Sequence, residues 1–346
     1  MYIDNTQLTS FLTCPWLWWE RYVKGMTPDR PNRQRDDALA LGGLVHAGLE
    51  VLGNTGEAQI PEGAMQEWTP SLECFRAAQK LLAGFSRAFP EPPWKVQKCE
   101  EPLTFPLMLD FDGPDIQGLA KIDQYYYVPT ETVLESGTSE YPLVLSPGWW
   151  INEYKTKAAT RLTRGAWMAQ WQMNLQASFQ CLALRKKIGE WPRGVLLTTL
   201  EKPAETPPKR KCKQCKGLYE YAAYLLVSEG GHACPMCGHC QVLSALAPRT
   251  EKEPTYFRFS VERTPERLER DLQIITNVAR AMDTMADDGP LSTAWPDFLS
   301  CVNSVTGWQC EFFEPHVAMR WAEDCAGFVR ADTLKYMERK EKVDVV

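Results

Sequence analysis

The sequence predicts a mixed α/β fold carrying a small insertion of different character. Three observations lead there. Apolar runs of strand-like and helix-like period alternate along most of the chain. Two runs, 193–200 and 255–262, read as strands of one sheet, yet about fifty residues rich in Lys, Arg, Pro and Cys separate them. The chain has 346 residues, 44% apolar and 24% charged, enough to bury a sizeable core in roughly one to three domains.

Composition then removes several classes. The formal net charge is −6, so any contact with a polyanion must come from a local basic surface. No apolar run reaches the roughly eighteen residues of a membrane span. The start, Met1-Tyr2-Ile3-Asp4-Asn5, lacks the basic and apolar regions of a secretory signal, so a cytoplasmic location is expected. In a reducing compartment, 12 cysteines point to metal or cluster ligation rather than disulfides.

Residues 6–23 read as two short helices broken at Cys14-Pro15, since proline suits a first helical position. Cys14 reads equally as a small buried hydrophobe or as a ligand. Residues 38–52 form a buried helix, with Leu41, Leu44, Val45, Leu49 and Leu52 on the helical period. Its glycines imply close approach of another backbone. His46 and Glu50 are i,i+4 and share a face; such a histidine is more often a satisfied core residue than a ligand. Residues 54–70 are polar and read as loop, and 71–89 as an amphipathic helix ended by Pro90, Pro92 and Pro93. Strands follow at 103–109 and 116–128. The second holds Asp123 at its middle, where a lone buried carboxylate is costly unless it is paired or binds a cation.

After a loop at 129–142 comes an apolar entry into Ile151-Asn152-Glu153-Tyr154-Lys155. Residues two apart on a strand share a face, so Glu153 and Lys155 project together. The carboxylate can hold a hard divalent cation, and the lysine can offset charge developing on a phosphate. Alone, Glu-x-Lys is usually a solvated charge pair. Residues 165–189 read as one helix with Gln172 and Gln176 a turn apart, 193–200 and 255–262 as strands, and 264–286 as a long helix.

Between the last two strands stand Cys212-Lys213-Gln214-Cys215 and Cys234-Pro235-Met236-Cys237. Two Cys-x-x-Cys pairs at this spacing predict a zinc ribbon, in which Cys212, Cys215, Cys234 and Cys237 surround one Zn²⁺. His239 and Cys240 are neighbours able to substitute. The expected division is a core at 1–202, a ribbon insertion at 203–248, and the rest of the core at 249–346. Lys209, Arg210, Lys211 and Lys213 on the ribbon would track a nucleic-acid backbone or simply solvate the insertion. Residues 291–329 hold Cys301, Cys310, His316 and Cys325.

Taken in order, these segments resemble the PD-(D/E)XK nuclease superfamily. The resemblance is to its RecB-like exonuclease branch, which includes CRISPR-adaptation, AddB-type and phage recombination nucleases. Phe11-Leu12-Thr13-Cys14-Pro15, Gly43 to Glu50, Gly118 to Asp123, Glu153-Tyr154-Lys155-Thr156 and the glutamine helix carry it, and they cover most of the chain outside the ribbon. The resemblance implies a restriction-endonuclease-like core, a central mixed sheet flanked by helices. It implies that Asp123, Glu153, Lys155 and Gln176 are catalytic. His46, Asp123, Glu153 and the backbone carbonyl of Tyr154 would be ligands of Mg²⁺ or Mn²⁺, the histidine favouring Mn²⁺. The implied reaction is hydrolysis of DNA phosphodiester bonds, at single-stranded or duplex ends, in recombination, repair or processing. CRISPR-type end trimming beside an adaptation partner, or a non-catalytic DNA-binding or assembly subunit, are the alternatives. The implied source is bacterial or a phage.

The chain departs from the branch twice. An aromatic residue usually follows the helix glutamine by four positions; here that residue is Gln180, beside Phe179, and Gln172 competes for the role. The branch often ties its ends with a [4Fe–4S] cluster on one N-terminal and three C-terminal cysteines. Cys14, Cys301 and Cys310 match, but His316 stands where the last cysteine is expected, with Cys325 as the other candidate and loss of the cluster, its cysteines simply packed, as the alternative.

Overall fold

The structure is a computed structural model. It describes residues 1–28, 37–68, 70–89, 96–108, 116–137, 143–158, 163–202, 209–220, 225–228, 231–242, 253–289 and 328–330. The first elements are β1 (Tyr2–Asp4), α1 (Asn5–Thr13) and α2 (Pro15–Trp18), which runs into a π-helical turn at Trp19–Val23. Then come β2 (Met26–Pro28), α3 (Asp37–Thr55), α4 (Glu62–Trp68), α5 (Leu72–Ala88), β3 (Val96–Met108) and β4 (Ile116–Val128). A small hairpin, β5 (Thr132–Leu134) and β6 (Leu143–Leu145), leads to β7 (Gly148–Ala158), α6 (Arg164–Met173), α7 (Leu175–Ile188) and β8 (Gly194–Lys202). The short strands β9 (Lys209–Lys211), β10 (Leu218–Glu220), β11 (Leu225–Ser228), β12 (Gly231–Ala233) and β13 (Cys240–Val242) precede β14 (Thr255–Glu262), α8 (Pro265–Asp288) and β15 (Phe328–Arg330).

A six-stranded mixed sheet organises the molecule, in the order β1-β4-β7-β8-β14 with β3 also on β4. β3 runs antiparallel along nearly all of β4, from Met108↔Ile116 to Val96↔Tyr126. The other edge of β4 is shared. β1 pairs in parallel with Gln117–Leu119, and β7 pairs antiparallel with Gln124–Val128. Between these two partners lie residues 120–123, so Asp123 sits where one neighbour ends and the other has not begun. β7 then continues parallel to β8, and β8 is antiparallel to β14.

Helices cover both faces. Ile151, Phe179, Leu182, Val195, Leu197 and Met282 belong to one apolar cluster, under α1, α7 and α8. Leu44, Val45, Leu81, Phe85, Tyr154 and Leu200 belong to a second, under α3 and α5. Fully burying each such side chain contributes on the order of 1.5–3 kcal/mol. The two-residue period of β7 distributes its side chains accordingly: Ile151, Glu153 and Lys155 face α7, and Tyr154 faces α3.

Three expectations change in detail. The segment 54–70 contains α4, whose Trp68 ring lies where a Cβ on Gly43 would go; a Cβ on Gly48 would meet Leu82. The α3 glycines therefore admit side chains, not a second backbone. The helix expected over 165–189 is two helices broken at Asn174, which is extended and whose Oδ1 accepts from Gln176 N at 2.8 Å. No Gly or Pro marks that break, but an asparagine N-cap does. The expected fold class, a mixed sheet flanked by helices with an inserted cysteine-bearing segment, matches the observed one. No helix among the described residues is long and apolar enough to cross a membrane.

Candidate active site

The interrupted edge of β4 builds the site. The last β4–β7 pair is Gln124↔Asn152. Two residues beyond Asn152, Tyr154 N donates to the Asp123 carboxylate (2.8 Å to Oδ2), where a ladder bond would have reached a backbone carbonyl. The strands part here, and both acids are buried at the fork: Asp123 is 7% exposed and Glu153 2%. Behind the fork, a buried polar row locks the strands together. Asn152 Nδ2 and Tyr154 Oη both donate to Gln124 Oε1 (3.2 and 2.8 Å), and Thr198 Oγ1 donates to Asn152 Oδ1 (2.8 Å).

Three further elements aim side chains into the fork. From α3, His46 Nδ1 lies 3.4 Å from Asp123 Oδ1 and 3.5 Å from Glu100 Oε1. From α7, Gln176 Nε2 donates to Glu153 Oε1 (2.8 Å) and Gln180 Nε2 to Oε2 (2.7 Å). Lys155 pairs with Glu153 Oε1, and its ammonium lies 5.5 Å from the centroid of the buried Trp171 ring on α6. Gln172 points elsewhere, donating to Ser260 O at 3.0 Å. Of the two glutamines the sequence left competing, Gln176 is the one on Glu153.

Glu100 is the residue that sequence reasoning missed. It sits on β3 between the pairs Cys99↔Gln124 and Glu101↔Ile122 with φ 53°, a left-handed backbone that a non-glycine residue adopts at a cost of order 1 kcal/mol. That turn places its carboxylate beside His46, where Lys121 also pairs with it. Glu101 reaches Lys187 instead, at 2.5 Å. A doublet of acids in a strand that pairs with the Asp123 strand was the available signal.

The charges are interdependent. Burial disfavours the His46 cation, but the Asp123 and Glu100 carboxylates outweigh it and push its pKa up to about 10. Burial would raise Asp123; His46, Lys155 and the Tyr154 N–H hold it below the usual carboxylate range. Glu153 is raised, by burial first and then by Asp123. Lys155, despite burial, is held firmly protonated by Glu153 and Asp123. On α3, Glu50 is raised by burial and by Glu100. Three cationic side chains, His46, Lys121 and Lys155, thus face the three converging acids Glu100, Asp123 and Glu153.

That donor set suits a hard divalent cation. His46, Glu100 and Asp123 each offer one ligand atom, all within 4.8 Å of one another. A nitrogen and carboxylate oxygens fit Mg²⁺ or Mn²⁺ better than a soft metal. Glu153 lies outside this group, its oxygens engaged by Lys155 and the glutamines.

The second metal-capable group is Cys212, Cys215, Cys234 and Cys237. Sγ atoms of Cys212 and Cys237 are 3.6 Å apart, and those of Cys215 and Cys234 3.8 Å. A tetrahedral Zn²⁺ with bonds of about 2.3 Å requires sulfurs about 3.8 Å apart. The two knuckles are built alike. Cys212 N donates to Gly217 O (2.9 Å) and Cys234 N to His239 O (3.0 Å), and Lys216 and Gly238 take left-handed φ of 61° and 67°. Cys240 is exposed, outside the group.

Lys213 is exposed; its backbone N donates to Gln241 Oε1 at 2.8 Å, joining the knuckles. Lys209, Arg210 and Lys211 form β9, and their side chains lie outside the description. Cys14 is buried at the start of α2. Cys301, Cys310, His316 and Cys325 lie outside the described residues, and β15 pairs with β2 near the start of the chain.

No protein-family model matches this chain, and no curated protein matches it. A solved structure named "Putative exonuclease", from Eubacterium rectale, aligns over 94% of this chain and 90% of its own, at 11% identity and a TM-score of 0.42. A likeness of that size does not identify the chain.

Proposed function

We propose that this protein is a Mg²⁺- or Mn²⁺-dependent nuclease that hydrolyses DNA phosphodiester bonds, an exonuclease of the RecB-like kind. The observation that carries this reading is the fork between β4 and β7, where two buried carboxylates and a lysine meet a histidine and a third acid. Asp123, with His46 and Glu100 or with Glu153 and the Tyr154 carbonyl, would hold the cation. When bound, the cation supplies a lower pKa to its water and polarises a phosphoryl oxygen.

The remaining work falls to the chain itself. Lys155, fully protonated, stabilises charge developing on the phosphate. Gln176 keeps the Glu153 carboxylate turned to the fork. The Cys₄ ribbon, with Lys209, Arg210, Lys211 and Lys213, follows the DNA backbone, and Zn²⁺ there is structural. Cys14, Cys301, Cys310 and His316 hold a [4Fe–4S] cluster in this reading, and anaerobically purified protein would then be brown. Protein partners are those of recombination or CRISPR adaptation.

The deciding experiment incubates purified protein with end-labelled single-stranded and duplex DNA, with and without Mn²⁺. Metal-dependent shortening from an end supports the proposal. DNA binding without cleavage under every condition would make the protein a non-catalytic subunit.

A further inference from the structure

Both oxygens of Glu153 are held by amides from one helix. Gln176 reaches Oε1 at 2.8 Å, and Gln180, one turn on, reaches Oε2 at 2.7 Å. A carboxylate rotates easily about its last bond, because that torsion has only a broad, two-fold preference. Two donors, one per oxygen, remove the freedom.

The orientation of the Gln180 amide follows from chemistry. Paired with the Lys155 ammonium, the Glu153 carboxylate accepts, so the NH₂ group faces Glu153 and the carbonyl faces away. That carbonyl oxygen, Oε1, is buried and has no hydrogen-bond partner among the described residues. A buried acceptor without a donor opposes folding. An apolar side chain of similar volume would suit the site better if packing were the whole purpose, since Gln180 is 3% exposed in a helix whose Phe179, Cys181, Ala183 and Leu184 are buried too.

The helix is also pinned from its far side. Ser178, between the two glutamines, donates to Asp271 Oδ2 (2.5 Å) and accepts from Arg263 Nε (2.8 Å). The same guanidinium donates to the carbonyls of Gln172 and Asn174, both at 3.1 Å, and so fixes the break where α7 begins. The amides have a rigid mount.

We infer that Gln180 is a positioning residue for the Glu153 carboxylate, present for cation binding at the fork rather than for the stability of α7. The inference rests on the second ligand set proposed above, in which Asp123, Glu153 and the Tyr154 carbonyl hold the cation. Residues that orient a metal ligand typically change affinity by about 10–100-fold when removed.

The test uses zinc-loaded full-length protein, with Mn²⁺ alone as the probe. Calorimetric titration gives the Mn²⁺ affinity, and thermal melting without Mn²⁺ gives the stability. Gln180→Leu and Gln180→Met should both melt at or above the wild-type temperature. They should bind Mn²⁺ at least about tenfold more weakly. Wild-type Mn²⁺ affinity in either folded variant overturns the inference. So does loss of folding in both, which would make Gln180 a packing residue. A wild-type protein that binds no Mn²⁺ at this site overturns the metal-site reading itself, an outcome visible before any variant is made.

Discussion

The two metal-capable groups are built on opposite plans. The Cys₄ group draws all its ligands from two short turns of one insertion, each turn fixed by two backbone hydrogen bonds and one left-handed residue. The fork draws His46, Glu100, Asp123, Glu153 and Lys155 from α3, β3, β4 and β7, and the main sheet sets their spacing. The first group has four thiols and no internal counter-charge. The second neutralises itself: His46 and Lys155 occupy the carboxylates as a cation would. A locally built site depends on its metal to exist. A site built by the fold exists beforehand, and its metal must displace protons and ammonium groups to enter.

The comparison breaks most visibly at the ribbon. Cys212→Ser or Cys234→Ser should lose one zinc per chain by elemental analysis, and with it hydrogen-exchange protection in 209–220 and 231–242, while the main sheet stays protected. Structural zinc contributes on the order of 10 kcal/mol. Protection retained without zinc would place the ribbon among the sites built by the fold. Next in size, Glu153→Ala or Lys155→Ala should lower DNA cleavage by roughly 10³-fold or more with melting behaviour preserved, because these groups act on charge in the transition state. Retained cleavage in either variant removes the fork as the reaction centre.

A smaller effect tests the self-neutralisation. Without added Mg²⁺ or Mn²⁺, Asp123→Asn should drop the His46 pKa from about 10 toward the ordinary value near 6.5, read by NMR titration. A value still near 10 would make Glu100 the main holder of that proton. The sign for stability follows. A raised histidine pKa stabilises the metal-free fold fully below about pH 6.5, and that contribution is lost as pH rises through about 10. Smallest is the counterpart in binding. His46 must shed its proton to ligate, so Mn²⁺ affinity should rise by up to about tenfold per pH unit between pH 7 and 9. A flat profile would mean that His46 stays out of the coordination shell.

The same contrast governs what could be read from the sequence. The grouping of Cys212, Cys215, Cys234 and Cys237 was legible because they come as two close pairs in sequence and that spacing is the geometry. Asp123, Glu153 and Lys155 were legible as an acid in an apolar run and a two-residue strand period. Glu100 was not, because its place beside His46 depends on its left-handed backbone in β3 and on which strand β3 meets. Nor was the split between Gln172 and Gln176 legible: they are a turn apart in sequence, but the Asn174 break sends one to Ser260 and the other to Glu153. The fold class followed from alternating periods, whereas the shared edge of β4 is a matter of pairing that no period reveals.

The pairing of β8 with β14 has a consequence for the chain as a polymer. Glu201 lies opposite Thr255, so the ends of the inserted stretch meet at one rung of the ladder. Closing a loop of roughly fifty residues, rather than a turn of about four, costs the folding chain roughly 2 kcal/mol of entropy. A Zn²⁺ joining Cys212 to Cys237 would shorten that loop from within, before β8 and β14 find each other. With zinc bound, the insertion would thus speed assembly of a sheet to which, among the described residues, it contributes no strand.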